Sequence, residues 1–320
     1  MTALLRKIFL FLAILAVTLI IGSVLTKNYL RNGDFYRVKG DTNVIMLGHS
    51  QPECGLNDSL VPHLRNFAQG GESYFYTYQK AKKLLADNPQ IKTVIISYAN
   101  NQINERMDKW IWDDKYIYNS YPKYNFMMET DDYSQLFRHN FTEVLKAETK
   151  AFKDFASFAS KGRKDYLANR NWGGYLHLKR NKIDSLLKTD YLEKERRDIT
   201  GKTSETNIEY LEKIVALCQA KGVKVLFIRM PARQEMPFFK NEAQYQQIKS
   251  SRFAAVELLD FKDFPAVIDE YGDFDHLNHK GAARFSAYFN QLMEAGLLRA
   301  ANKQQQIDAS IAALTSTQPK

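Results

Sequence analysis

Ser50 closes the segment Val44-Ile45-Met46-Leu47-Gly48-His49-Ser50, an apolar run that stops at a glycine and delivers a hydroxyl. Far along the chain, Asp273 and His276 stand in Asp273-Phe274-Asp275-His276-Leu277-Asn278, just ahead of an amphipathic stretch. Serine, histidine and aspartate are the nucleophile, base and orienting carboxylate of acyl transfer. A serine hydroxyl is a weak nucleophile until a neighbouring base takes its proton, so the three must meet in space. Their order, Ser then Asp then His, with the last two a D-x-x-H, narrows the scaffolds able to bring them together.

Those scaffolds must hold short apolar strands between amphipathic helices. Strands are expected at 43–47, 64–68, 93–98, 223–229 and 256–260, and helical periodicity at 74–86, 204–220, 242–251 and 280–295. Thr203 or Ser204 can cap the second of these helices, and Gly222 can end it just before a strand. Strands alternating with helices predict an α/β fold, a three-layer sandwich whose five-stranded parallel sheet is covered on both faces. In such sheets the ligand crevice lies beyond the C-terminal strand ends, where Ser50 is expected. A second strand end carries Asn66-Phe67-Ala68-Gln69-Gly70-Gly71-Glu72-Ser73, whose glycines let backbone N–H groups approach a substrate oxyanion. A third carries Ser97-Tyr98-Ala99-Asn100-Asn101, whose side-chain amides can donate to the same oxyanion.

Taken together, from 43 to 293, these four blocks resemble the SGNH (GDSL-type) hydrolase superfamily. Its name lists a serine, a glycine, an asparagine and a histidine drawn from four blocks in this order. The resemblance implies a flavodoxin-like fold, with Ser50 as nucleophile, His276 as base and Asp273 as its carboxylate. It implies an oxyanion hole of Ser50, Gly71 and Asn100, with Asn101 as the fallback. Two blocks depart from the pattern: His49 stands where an aspartate is usual, and the third block lacks its leading glycine and its Asn-Asp ending. No cofactor is implied. The same triad serves hydrolysis and transfer, so the motif does not separate an esterase from an acyltransferase.

Competing readings of single residues are weaker. Cys54 lacks the strand-to-turn setting of Ser50, and Cys218 falls among Ile214, Val215 and Leu217, where packing is expected. The two could pair only in an oxidising compartment. Asp275 and His279 would be a second acid–base pair, but Asn278 reads as an N-cap, which puts His279 in the first helical turn. Asp275 and His279 are therefore expected as turn and helix-surface residues, with Gly281 allowing close helix approach. The remaining histidines show no metal-ligand spacing, so no metal is expected.

The N-terminus sets the location of the chemistry. Ile8 to Leu25 carries no charge and at helical rise covers about 27 Å, close to the roughly 30 Å of a hydrocarbon core. Arg6 and Lys7 ahead of it favour a cytoplasmic N-terminus and an exported remainder. The run exceeds the apolar region of a cleaved signal peptide, and no small-x-small site closes it. An anchor over 1–30, an SGNH-like domain over 40–300 with a helical insertion at about 102–201, and a flexible tail over 301–320 are expected. The insertion is dense in aromatics, with Trp110-Ile111-Trp112 and Tyr116-Ile117-Tyr118 suited to packing or to a sugar-stacking wall.

The formal net charge of +9 is spread along the chain with no block of like charges, which gives nucleic-acid binding no support. An acylated carbohydrate or envelope polymer is the expected partner, with membrane lipid around 8–25. The resemblance extends to single-anchor proteins that work beside membrane-bound O-acyltransferases. The location expected is the inner membrane, single-pass, with the domain facing the periplasm or cell exterior. The alternative is a catalytically silent scaffold that binds glycan or such a partner. A lipase or thioesterase would need a long apolar acyl channel that the insertion's charged composition does not suggest.

Overall fold

The computed structural model describes residues 2–33, 36–161, 172–197 and 201–316. They group into two compact units: 1–36 with 112–170, and 37–111 with 171–320.

The second unit holds the sheet. Its strands are β1 (Val44–Leu47), β2 (Leu64–Asn66), β3 (Thr93–Ser97), β4 (Lys224–Arg229) and β5 (Glu257–Asp260). All pair in parallel, in the order β2-β1-β3-β4-β5. This is the doubly wound 2-1-3-4-5 order, with its switch point between β1 and β3. Every residue of β1 and β3 is buried, as parallel strands covered on both faces require. The α/β sandwich and its five strands agree with the sequence expectation; β2 is shorter than expected, ending at Asn66.

Side-chain alternation sorts the strands into two faces. On one, Val44, Met46, Ile95, Leu226, Ile228 and Leu259 pack with Phe285, Phe289 and Leu292 of the helix His279–Glu294. Burying each such aromatic stabilises by roughly 1.5–3 kcal/mol. The alternate residues Ile45, Val94, Ile96 and Phe227 are buried on the other. There Tyr98 stacks on Phe227 at 4.9 Å, and Tyr74 Oη donates to the Ser97 carbonyl at 2.6 Å. Tyr74 opens the helix Tyr74–Asp87, whose Phe75 meets Tyr210 of the helix Glu205–Ala220 edge-on at 4.7 Å.

The C-terminal segment corrects the expectation of a flexible tail over 301–320. Lys303–Ser316 is a helix, and Ile307 and Ile311, one turn apart, belong to the core cluster. The segment also dresses the edge strand. Gln304 accepts from the Asp260 N–H at 2.8 Å and donates to its carbonyl at 3.0 Å, while buried Lys303 pairs with Glu257 at 2.7 Å. A polar composition hid this because two isoleucines in helical register suffice to dock it. Residues 317–320 lie outside the described residues.

The first unit contains the helix Thr2–Asn32 and the helices Asp114–Tyr124 and Thr130–Lys161. Ala3–Asn32 is long and apolar enough to cross a membrane. Its last turns are not wholly apolar: Ser23 donates to Glu148, and Lys27 pairs with the same carboxylate at 3.0 Å. Of the stretch 102–201, residues 112–161 cluster with this helix and 172–197 with the sheet unit. In the first unit Trp112 stacks on His139 at 3.9 Å, a packing use of an aromatic expected as a possible sugar wall.

Candidate active site

β1 must turn sharply to present the residue after it. Gly48 does this with φ +145°, a conformation that L side chains rarely adopt, and a Cβ there would stand 2.5 Å from Ser97 Cβ. His49 then caps the short helix Ser50–Gly55, so Ser50 opens that helix at the switch-point end of the sheet.

His49 is buried, its Nδ1 accepting from the Gln51 N–H at 3.5 Å and its Nε2 lying 3.2 Å from Ser97 Oγ. Burial, reinforced by the nearby His276, lowers its pKa to about 3. At the position where the resembled pattern usually carries an aspartate, the chain therefore has a neutral ring that makes a cap and a strand-end contact. The departure is accommodated by uncharged hydrogen bonds.

His276 arrives from the loop between β5 and the helix His279–Glu294. Asp273 folds that loop: its Oδ1 accepts from the backbone N–H groups of Asp275 and His276, each at 3.0 Å. Asn278 caps the following helix through the N–H groups of Lys280 and Gly281, as expected, and its amide donates to the carbonyls of Asp269 and Tyr271. The His276 ring is pinned at both nitrogens. Nδ1 lies 2.8 Å from Asp273 Oδ1, and Nε2 lies 2.7 Å from Ser50 Oγ. Burial works against ionising either partner. For Asp273 the His276 bond outweighs it and holds the carboxyl far below its usual range. For His276 the Asp273 bond and the Asp275 charge likewise win, and its pKa is raised.

Arg180, which the sequence did not single out, completes this group. Its Nη2 donates to Asp273 Oδ2 at 2.6 Å, leaving Oδ1 to the histidine. Asp275 is the second residue read differently by the sequence, which made it a turn residue. Its Oδ1 accepts from Gln51 Nε2 at 2.6 Å, and its Oδ2 stands 3.9 Å from His276 Nε2. Burial, the main cause, raises its pKa. His279 instead packs its ring on His177 at 4.7 Å.

The expected oxyanion donors divide. Gly71 sits in a positive-φ turn (φ 75°) beside Gly70, where a Cβ would come within 3.6 Å of Ser50 Cβ. The Gly70 N–H is taken by Glu53 Oε2 at 2.8 Å. The turn is anchored by a buried ion pair, Lys80 with Glu72 at 2.7 Å, Lys80 also donating to the Phe67 carbonyl. Asn100 is turned away and is a correction. Its amide donates to Asn241 and Glu242 at 3.1 and 3.0 Å, and its oxygen accepts from Arg229 at 2.6 Å. Buried Arg229, paired with Glu242 and Asp260, has first claim on that side chain. Asn101 lines the same cleft as Ser50, His276 and Asp275, so the fallback asparagine is the better placed of the two.

That cleft has a volume of about 210 Å³, and Asn104, Trp110, Tyr191 and Phe238 contribute to its walls. Trp110, whose segment suited either packing or a sugar-stacking wall, lines this cleft. Both cysteines are buried free thiols, so Cys54 and Cys218 form no disulfide. Burial pushes each thiol up to about 12, which leaves Cys54 inert as a nucleophile. Among the described residues no cluster of metal-ligating side chains occurs.

A family profile that carries no description matches residues 175–298. No curated protein matches the chain. Among solved structures, the chain is similar to a "putative acylhydrolase" from Bacteroides fragilis, at 11% identity and a TM-score of 0.34, over 86% of this chain and 90% of that one.

Proposed function

We propose that the chain is a membrane-anchored serine O-acyl esterase or O-acyltransferase of the SGNH type, acting on acylated carbohydrate of the cell envelope. The observation that carries this reading is the unbroken hydrogen-bond chain from Ser50 through His276 to Asp273, at 2.7 and 2.8 Å. In it, Ser50 Oγ attacks the ester carbonyl while His276 Nε2 takes its proton. Asp273 keeps Nδ1 protonated and stabilises the imidazolium. The proton then passes to the departing sugar oxygen, leaving the acyl group on Ser50 until water or another hydroxyl takes it. The backbone N–H groups of Ser50 and Gly71 and the Asn101 amide are the proposed oxyanion donors, with Asn101 in place of Asn100. Loss of one such donor costs on the order of 10²–10³ in rate.

The cleft supports a short acyl group. Its volume of about 210 Å³ falls below the roughly 300–1,000 Å³ that takes a drug-sized ligand, and a long lipid chain needs more room. Aromatic and amide side chains on its walls suit a sugar. The apolar helix Ala3–Asn32, with Arg6 and Lys7 ahead of its core, supports a single-pass anchor in the inner membrane with the domain facing the periplasm or cell exterior. A membrane-bound O-acyltransferase is the partner proposed for the transfer reading.

The commitment of Asn100 to Arg229 favours the second reading, a silent scaffold that binds glycan or that partner. Turnover of a short-chain aryl ester by the full chain in detergent separates the two. The enzyme reading expects turnover that Ser50→Ala and His276→Ala each lower by at least about 10³-fold. Wild-type protein that binds glycan but shows no Ser50-dependent turnover would favour the scaffold.

A further inference from the structure

His276 lies between two carboxylates, one at each ring nitrogen, and only one of them belongs to the triad. Asp273 holds Nδ1, while Asp275 Oδ2 lies 3.9 Å from Nε2, the nitrogen that exchanges protons with Ser50. Asp275 is not loosely placed. Gln51, the residue after the nucleophile, fixes its Oδ1 at 2.6 Å, and the side chain is only 14% exposed. Oδ2 has no hydrogen-bond donor among the described residues, and Asp275 lines the same cleft as Ser50 and His276.

We propose that Asp275 selects water as the acceptor of the acyl group, so that the chain acts as an esterase. The inference rests on the acyl-enzyme reading above. Once Ser50 Oγ is esterified, Nε2 is free to accept from the incoming nucleophile. A water that donates one hydrogen to each of two acceptors at about 2.8 Å holds them about 4.4 Å apart, close to the 3.9 Å between Nε2 and Asp275 Oδ2. Water has two hydrogens and satisfies both. A sugar hydroxyl has one, so it leaves Asp275 Oδ2 without a donor in a largely buried site, an unfavourable arrangement.

The step balances. The water oxygen bonds to the acyl carbon as one of its protons passes to Nε2. The tetrahedral intermediate then breaks its bond to Ser50 Oγ, which recovers that proton from Nε2. The second water hydrogen, held by Asp275, leaves on the carboxylic acid product and ionises in solvent. Nothing further is consumed.

Partition of one acyl-enzyme between water and methanol tests the proposal. Methanol carries a single O–H, and both nucleophiles draw on the same His276, so changes in its basicity or in the acylation rate cancel in the ratio. The full chain in detergent is given an aryl acetate with methanol present, and acetate and methyl acetate are counted. Wild type is expected to favour acetate. Asp275→Ala is expected to raise the methanolysis-to-hydrolysis ratio about tenfold, the effect of losing one hydrogen bond to a charged group. Gln51→Leu, which keeps the carboxylate but unhooks it, is expected to move the ratio the same way by less. Fluorophosphonate labelling of Ser50 in both variants reports an intact site. An unchanged ratio in labelled variants would overturn the role of Asp275 and leave the triad standing. Absence of any Ser50-dependent acyl-enzyme in wild type would overturn both.

Discussion

Asp273, Asp275 and Arg180 set the acid–base behaviour of His276, and they act with different signs. A histidine must be neutral to take the serine proton, so kcat/KM should rise with pH through the His276 pKa. Burial lowers that pKa, but the bond to Asp273 and the charge of Asp275 more than offset it. The acid limb is therefore expected above the ordinary value of about 6.5. Asp275→Ala removes a charge that raises the pKa, so its limb should move to lower pH. Arg180→Ala removes one that lowers it, so its limb should move up. Limbs that move together, or not at all, in a pH series of the three proteins would contradict this electrostatic account. That Ser50, His276 and Asp273 could meet was readable in the sequence, because Asp273 and His276 stand three residues apart and Ser50 follows the end of β1. Arg180 and the Gln51–Asp275 bond were not, since each joins segments that only the fold brings together. Asn100 and Asn101 differ by one position. Which of them faces the cleft is decided by buried Arg229, whose partners no local pattern announces.

At the scale of elements, alternating strand and helix signals were enough for the sheet and its covering helices, since buried parallel strands are short, continuous apolar runs. The C-terminal helix Lys303–Ser316 escaped because its apolar stripe is narrow and its docking relies on Lys303 and Gln304 reaching the edge of β5. The N-terminal helix carries a comparable lesson. Its apolar core could serve as an anchor or a removable signal, but its last turns are built into the first unit. A Cβ on Gly22 would collide with the Phe152 ring, Thr26 and Leu30 are buried, and Lys27 and Ser23 both meet Glu148. Burial opposes ionisation of Glu148, and Lys27 then holds its pKa below the usual range. Removing these turns would strand a half-buried carboxylate and uncover Phe152. The helix is therefore expected to be retained. The intact mass of the protein purified from membranes should include residues 2–32, and a mature N-terminus falling after Gly22 would contradict the prediction.

Across the whole molecule, the 2-1-3-4-5 strand order delivers Ser50 after β1 and Asn101 after β3 to the one place where adjacent crossovers diverge. The loop 273–278 returns from beyond β5 to meet them, so Ser50 and His276 come together only in the folded chain. That dependence makes covalent labelling the most direct test of the central claim. Folded full-length protein treated with a fluorophosphonate should carry one adduct, mapped by peptide mass spectrometry to Ser50. The label should be lost in Ser50→Ala, strongly reduced in His276→Ala and absent after heat denaturation. An adduct that persists in Ser50→Ala, or that maps to another residue in wild type, would contradict the account.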